Sequence, residues 1–311
     1  MNRKALKRIP LNKLMDLKVD YAFKQLFGSE RNKNITIVFL NAILQRTGRD
    51  TVKEVMFVNQ EMGGEYQDDK QSRLDIVVKT QTGELINVEM QMSNQDDMFK
   101  RTLFYWSRLY TVQLQKRKGY RTLLPTITIN ICNYTIFEDM KHYHSTYHLY
   151  EDTILERLKP KDDVLEVHFI EMNKFLNAWH QDQLNPLDDI LARWLLLLGM
   201  VDVRKEKVYN DIYQELEELA MKDENLVEAF NEWENLSQTP ETIIAYQSRL
   251  KAILDEEARL DDVREKSLEE GIEQGIEKVA RRMIAKGKSN EEIMDATELS
   301  LEEVDALRAD S

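Results

Sequence analysis

Two acidic side chains, Asp75 and Glu89, lie in neighbouring segments in which apolar and polar residues alternate. Successive side chains of a strand point to opposite faces, so Asp75 is expected on one face and Leu74 and Ile76 on the other. A three-residue loop over 81–83, with its glycine left-handed, would place Asp75 directly across from Glu89. Like charges opposite each other destabilise a sheet unless a cation neutralises them. The pair therefore predicts a divalent metal site able to act on a phosphodiester.

Hydrolysis of a phosphodiester needs a Lewis acid, an activated water and a group that orients this water. Mg²⁺ accepts oxygen ligands, usually one or two carboxylates with waters and substrate oxygens, and Mn²⁺ is expected to substitute for it. Asp75 and Glu89 are the predicted ligands, and the backbone carbonyl of Met90 is a third candidate. Gln91 could hold the attacking water, but this uncharged amide cannot supply the positive charge that a lysine would.

A mixed sheet flanked by helices is expected to position these residues. Apolar spacing predicts a helix that ends at Gly28, a second helix over 34–45, and a long amphipathic helix over 96–118 that ends at Gly119. Runs of β-branched residues bounded by turn signals predict strands. These strands are expected at 55–58, 72–79, 84–92, 125–132 and 165–170.

The distribution of charge along the chain is more informative about a nucleic-acid ligand than the net charge is. A net charge of −13 argues by itself against a nucleic-acid ligand, since phosphate binding depends on Lys and Arg. However, residues 1–50 carry eleven basic and four acidic side chains, and residues 99–125 carry seven basic side chains and no acidic one. Residues 251–311 carry ten basic and eighteen acidic side chains. The basic potential is thus expected beside the hairpin.

The amphipathic helix carries the basic residues best placed for nucleic acid. Arg101, Tyr105 and Arg108 recur at spacings of four and three, so they can share one face, while Leu103 and Val112 lie elsewhere. Such a stripe could follow a phosphate backbone with little sequence preference. A solvated cationic helix is the alternative interpretation, and the absence of acidic residues favours contact with nucleic acid.

The C-terminal half is predicted to be wholly helical after Asn173. Its end contains two capping boxes, formed by Ser289 with Glu292 and by Ser300 with Glu303. This end is similar to a helix-turn-helix, but acidic side chains occupy its last helix and would repel phosphate. We therefore expect contact with protein and formation of a homo-oligomer through the helical C-terminal region.

The apolar segments of the chain predict a cytoplasmic protein that does not bind a membrane. The longest apolar run, over 194–201, is too short to cross a bilayer, and no signal-type apolar segment follows the basic N-terminus. The single cysteine, Cys132, is expected to be a buried strand residue. His142, His144 and His148 are interpreted as structural or surface residues rather than metal ligands.

In combination, these motifs resemble the PD-(D/E)XK nuclease superfamily, and within it the Rpn family of recombination-promoting nucleases, also described as putative transposases. The likeness covers about residues 13 to 135. It rests on Asp75, on Glu89-Met90-Gln91, and on the segment over 20–28. It also rests on residues of the basic helix and after it, namely Arg101, Tyr105, Tyr110, Gln113, Gly119 and Tyr120.

The resemblance implies a restriction-endonuclease-like α/β fold followed by an all-α C-terminal region. It implies a Mg²⁺-dependent DNA endonuclease linked to recombination, mobile elements or phage defence, with Asp75 and Glu89 as ligands. Gln91 stands in place of the superfamily lysine, and Asp20 matches a further acid near the metal. The rival function is an inactive nuclease-fold module that binds DNA or assembles with protein. The predicted DNA contacts are Lys24, Lys100, Arg101, Tyr105, Arg108, Gln113, Lys116, Arg117, Lys118 and Arg121.

Three regions are predicted from these patterns. Residues 1–172 form the nuclease-like domain, residues 173–255 a helical subdomain, and residues 256–311 a helical tail with the helix-turn-helix-like end. The tail is the expected oligomerisation region.

Overall fold

A computed structural model describes residues 6, 9–46, 48–58, 61–62, 72–94, 97–114, 117–159 and 162–309, without the side chains of residues 49, 61, 62, 72 and 73. The chain divides into two compact units, residues 1–250 and residues 251–311. The strands are β1 (Val55–Phe57), β2 (Glu61–Met62), β3 (Ser72–Arg73), β4 (Ile76–Thr80), β5 (Leu85–Gln91), β6 (Thr126–Cys132), β7 (His144–Tyr147), β8 (Leu165–Glu171), β9 (Val201–Asp202) and β10 (Lys207–Val208). The helices are α1 (Asp20–Phe27), α2 (Lys33–Leu44), α3 (Met98–Val112), α4 (Met172–His180), α5 (Ile190–Gly199), α6 (Asn210–Ala220), α7 (Glu224–Leu236), α8 (Pro240–Ala285), α9 (Asn290–Thr297) and α10 (Leu301–Ala309).

A six-stranded mixed sheet forms the centre of the first unit, in the order β1-β4-β5-β6-β8-β7. The pairs β5–β6 and β6–β8 are parallel, while β1, β4 and β7 run antiparallel to their neighbours. Every residue of β6 is buried. Cys132 is among them, as predicted. The mixed sheet, its flanking helices and the helical C-terminal region confirm the predicted α/β fold class.

The hairpin of β4 and β5 has the register that its sequence predicts. Ile76 lies opposite Val88, and the backbone N–H of Thr80 donates to the carbonyl of Glu84 at 3.0 Å. The loop between them therefore spans three residues, and Gly83 is left-handed with a φ of 91°. Extending this register by one pair places Asp75 across from Glu89.

The predicted strand over 72–79 is interrupted at Asp75, where the chain bends. Leu74 is expected from the sequence on the face of Ile76, and this expectation is wrong. Leu74 packs instead in a cluster with Val77 and Leu109. The bend shifts the alternation by one residue, because a bend ends the strict two-residue period of a strand.

Helix α3 packs on the face of the sheet that carries Glu89. Thr102 Oγ1 is 3.2 Å from Asn130 Oδ1, and Asn130 is the register partner of Glu89 in the parallel ladder. Further along the helix, the indole N–H of Trp106 donates to the carbonyl of Thr126 at 2.8 Å. These bonds fix α3 along β6, beside the hairpin.

Helix α3 ends at Val112, six residues before the predicted end at 118. The side-chain amide of Gln113 donates to the carbonyl of Leu124 at 3.1 Å and to Thr126 Oγ1 at 2.9 Å. These hydrogen bonds turn the chain back towards β6. Gly119, the predicted helix end, instead precedes a short 3₁₀ turn over 120–122.

One expectation for the C-terminal half is wrong. The short antiparallel pair β9–β10 interrupts the region predicted to be wholly helical, since two-residue strands are too short to show an alternation. Helix α8 runs unbroken over 46 residues, without a break at the predicted boundary near residue 255. The three-part division of the chain stays a prediction.

A buried ion pair connects the segment just before α1 to the end of α5 and the start of β9, all within the first unit. Lys18 Nζ is 2.9 Å from Asp16 Oδ1 and donates to the carbonyls of Leu198 and Val201. The other oxygen of Asp16 accepts from the N–H of Val203 at 3.0 Å. Because both charges are paired and hydrogen-bonded, their burial is tolerated.

The second unit has a small core of Ala280, Ile293 and Val304. Both predicted capping boxes are present: Ser289 Oγ accepts from the N–H of Glu292, and Ser300 Oγ accepts from that of Glu303, each at 3.3 Å. The glutamates accept in return from each serine N–H. Across the described ranges, no helix combines the length and apolar character that a membrane span requires.

Candidate metal centre

Asp75, at the bend just before β4, and Glu89, on β5, form a buried polar centre. The backbone N–H of Asp75 donates to Glu89 Oε1 at 3.2 Å, and the N–H of Met90 donates to Asp75 Oδ2 at 2.8 Å. The side-chain amide of Asn87 donates to Glu89 Oε1 at 3.1 Å. Asp75 is 5% exposed and Glu89 is 3% exposed. The predicted pair is therefore brought together, with the carboxylate of each residue hydrogen-bonded to the backbone of the segment that carries the other.

Burial governs the protonation of this pair. Together with the negative charge of Asp75, it raises the pKa of Glu89 to about 8, against hydrogen bonds from Asp75 and Asn87. Burial also raises the pKa of Asp75, and the nearby ammonium of Lys24 opposes that rise. Two adjacent buried carboxylates retain a proton where no cation fully balances them. This centre is thus electrostatically suited to a divalent ion.

Lys24 and Gln91 contact the two carboxylates directly. Lys24 Nζ lies 2.8 Å from Asp75 Oδ1, and the Gln91 amide donates to Glu89 Oε2 at 3.3 Å. Lys24 is a predicted DNA contact, and the sequence pattern does not reveal its ion pair with Asp75. The one sequence signal is its place on the same helix face as Asp20, four residues away.

Asp20 pairs with a residue that sequence reasoning missed. The Arg249 Nε–H donates to both oxygens of Asp20, at 2.8 and 2.9 Å. Within the described part of the chain, no three His, Cys, Asp or Glu side chains are arranged to hold a metal, so Asp20 does not form such a group with Asp75 and Glu89. Its charge still raises the pKa of Asp75. A pairing across 229 residues leaves no local pattern by which to find it.

The donor set fits Mg²⁺. It consists of oxygen atoms from two carboxylates, with the Met90 backbone beside Asp75. Mg²⁺ is commonly held by one or two carboxylates and keeps several waters, which substrate phosphates can replace. Burial and the negative charge of Asp75 raise the pKa of Glu89, and a bound cation would oppose both effects.

Arg101 is half-buried, and its charge acts on this centre. Its positive charge lowers the pKa of Glu89, against the effect of burial, and its guanidinium lies 5.3 Å from the ring centroid of Tyr105. Tyr105 packs against the apolar cluster of Val77 and Leu109. Arg101 is therefore a cation of α3 whose charge acts on Glu89.

The predicted stripe of Arg101, Tyr105 and Arg108 lies on α3, and its contact with nucleic acid stays a prediction. Leu103 and Val112, which were expected off the stripe, are exposed, and Gln113 is engaged in the turn after α3. Arg108 lies 5.6 Å from the ring centroid of Phe104. The other predicted contacts Lys100, Arg117, Lys118 and Arg121 are exposed, whereas Lys116 lies outside the described residues.

The histidines form a separate cluster on the opposite face of the sheet. His144 Nε2 is 2.9 Å from His168 Nδ1, and His168 Nε2 is 2.8 Å from Glu166 Oε1. His144 and His148 do not share a helix, because β7 begins at His144. Burial lowers the pKa of His144 to about 4, which keeps this imidazole neutral near pH 7. The contacts agree with a structural role.

No curated protein and no solved structure matches this chain. A family model described as "PD-(D/E)XK nuclease family transposase" matches residues 17–263, a range that includes Asp75, Glu89 and Gln91, as well as Arg249. The chain therefore belongs to the family of PD-(D/E)XK nuclease transposases, as its resemblance to the Rpn nucleases predicted.

Proposed function

We propose that this protein is a Mg²⁺-dependent DNA endonuclease that cleaves phosphodiester bonds with little sequence preference. Family membership supports a nuclease-like or transposase function. The observation that carries the finer proposal is the buried pair of Asp75 and Glu89, whose backbones and carboxylates are joined by hydrogen bonds of 3.2 and 2.8 Å. A cytoplasmic setting in recombination, mobile-element movement or phage defence belongs to the same proposal.

Each residue of the centre has a proposed role. Asp75, Glu89 and the Met90 carbonyl would hold Mg²⁺ or Mn²⁺, which supplies positive charge to the phosphate and lowers the pKa of water. Gln91 donates its amide N–H to Glu89 Oε2, so its side-chain carbonyl is oriented to accept a hydrogen bond from the attacking water. Arg101 offsets charge beside Glu89.

Contact with DNA is proposed for the exposed cations near α3. Lys100, Arg117, Lys118 and Arg121 are exposed and belong to a stretch without acidic residues. Such side chains neutralise phosphates without reading bases, which accounts for little sequence preference.

Plasmid nicking in Mg²⁺ tests the proposed centre. We expect Glu89→Ala to lower the cleavage rate by at least about a thousandfold, because the metal loses one of two carboxylate ligands and a mutation of this class removes several kcal/mol of transition-state stabilisation. Glu54→Ala is the matched control, since Glu54 is an exposed glutamate just before β1. Equal cleavage by wild type and Glu89→Ala would overturn the proposed centre.

A second candidate is a nuclease-fold module that assembles with further copies of itself. Helix α8 exposes large apolar side chains along residues 251–285: Leu268 is 65% exposed and Ile272 is 53% exposed. Exposed apolar side chains that repeat on one helix favour helix–helix contact. We infer that this region forms the homo-oligomer interface.

A further inference from the structure

Both oxygens of the Asp75 carboxylate are engaged. Oδ1 is 2.8 Å from Lys24 Nζ, and Oδ2 accepts from the N–H of Met90 at 2.8 Å. A Mg²⁺ ion binds carboxylate oxygens at about 2.1 Å. An ammonium group that contacts the same carboxylate would therefore repel the ion strongly in this buried centre. This repulsion favours departure of the ammonium when a metal ion binds at Asp75.

Lys24 is the partner able to move. Met90 is held in β5 by its ladder with β6, so its N–H is fixed by the sheet. Lys24 reaches Asp75 from α1 through a flexible four-carbon stem, and its side chain is 22% exposed, against 8% for that of Asp75. The ammonium thus approaches the carboxylate from the solvent side of the centre.

We propose that Lys24 is a resident counter-ion of Asp75, that a divalent metal ion displaces it, and that the displaced ammonium binds a phosphate of the DNA. This inference rests on the proposed function. In the metal-free protein, Lys24 keeps a buried carboxylate paired. In the metal-bound protein, it supplies the positive charge that Gln91 lacks on β5.

The other cations near the centre are less suited to this exchange. Arg249 is held by Asp20, because its Nε–H donates to both carboxylate oxygens of that residue. Arg101 lies against Tyr105 and acts on Glu89. A lysine ammonium is a compact charge that binds phosphate without a fixed geometry, so it can change partners at low cost.

Metal binding without DNA tests the first half of the proposal. Mg²⁺ is titrated by calorimetry in alkaline buffer, so that protons do not compete for Glu89. We expect Lys24→Gln to bind Mg²⁺ about tenfold more tightly than wild type, since an opposite charge at this distance changes the affinity of a carboxylate for a cation by at least that factor. Lys24→Arg keeps the charge and should keep the wild-type affinity.

Lys33→Gln is the matched control, because Lys33 begins α2 and pairs only with Glu30 among the ion pairs of the described residues. Unchanged or weaker Mg²⁺ binding by Lys24→Gln overturns the exchange. If Lys24→Gln does not fold, Lys24→Met replaces it.

DNA binding tests the second half. The dependence of duplex affinity on salt is measured by fluorescence anisotropy, with Ca²⁺ and with EDTA, for wild type and Lys24→Gln. With Ca²⁺, the logarithmic salt slope of Lys24→Gln should be smaller by about one, as expected for one lost phosphate contact. With EDTA, the two slopes should agree, because Lys24 then pairs with Asp75. The same difference under both conditions overturns the exchange.

Failure of this inference differs from failure of the proposed function. If Glu89→Ala abolishes both Mg²⁺ binding and nicking but Lys24→Gln binds Mg²⁺ like wild type, only the exchange is overturned. If neither wild type nor Lys24→Gln binds Mg²⁺, both proposals are overturned.

Discussion

At the scale of single residues, Glu89 makes stability depend on pH. Its pKa rises from 4.5 to about 8 on folding, mainly through burial. Between these values the folded protein holds a proton that the unfolded chain releases, so stability falls as the pH rises from 4.5 to about 8. We expect Glu89→Gln to raise the free energy of unfolding by up to about 5 kcal/mol above this window, since the pKa of Glu89 rises from 4.5 to about 8 and each pKa unit corresponds to about 1.4 kcal/mol. Below it, the substitution should change little.

Urea denaturation at both ends of this pH range measures the effect, with Glu54→Gln as an exposed control. An equal increment for Glu89→Gln at both ends would contradict the raised pKa of Glu89. The same result bears on function, because a carboxylate that is costly to ionise is one that gains from a bound cation.

At the scale of elements, the β4–β5 loop sets the register that joins Asp75 to Glu89. Gly83 has a φ of 91°, and a Cβ added to it would lie 2.5 Å from Leu124 Cδ1. Gly83→Ala therefore combines backbone strain with a steric clash. We expect it to lower the free energy of unfolding by about 2 to 4 kcal/mol, measured by urea denaturation.

Gly48→Ala is the matched control, because Gly48 has a φ of 65° but a Cβ added to it would meet no atom within 4 Å. It should cost only the backbone strain, about 1 kcal/mol. Equal losses for the two substitutions would show that the clash of the added Cβ with Leu124 does not destabilise the loop.

At the scale of the whole molecule, the proposed interface on α8 predicts the oligomeric state. We expect Ile272→Glu to reduce the apparent mass in light scattering after size exclusion, because Ile272 is 53% exposed on the long helix and a charge there opposes apolar contact. Glu269→Gln, an exposed substitution on the same helix, should leave the mass unchanged. An oligomer unaffected by Ile272→Glu, and equally by ending the chain at Asp255, would exclude this interface.

The sequence by itself determined the hairpin, its loop and the opposition of Asp75 and Glu89, because strand alternation and a left-handed glycine act over a few bonds. It also determined the class of fold and the family. It could not determine that α3 stops at Val112, since side-chain bonds of Gln113 to a segment eleven or more residues away end the helix.

Only the tertiary structure decided which cations meet the acids. Lys24 reaches Asp75 from another element, and Arg249 reaches Asp20 across 229 residues. No local spacing encodes such pairs, because they depend on how helices pack on the sheet. The chain's own pattern thus identifies the carboxylates, whereas the packing of α1 and α8 supplies their counter-ions.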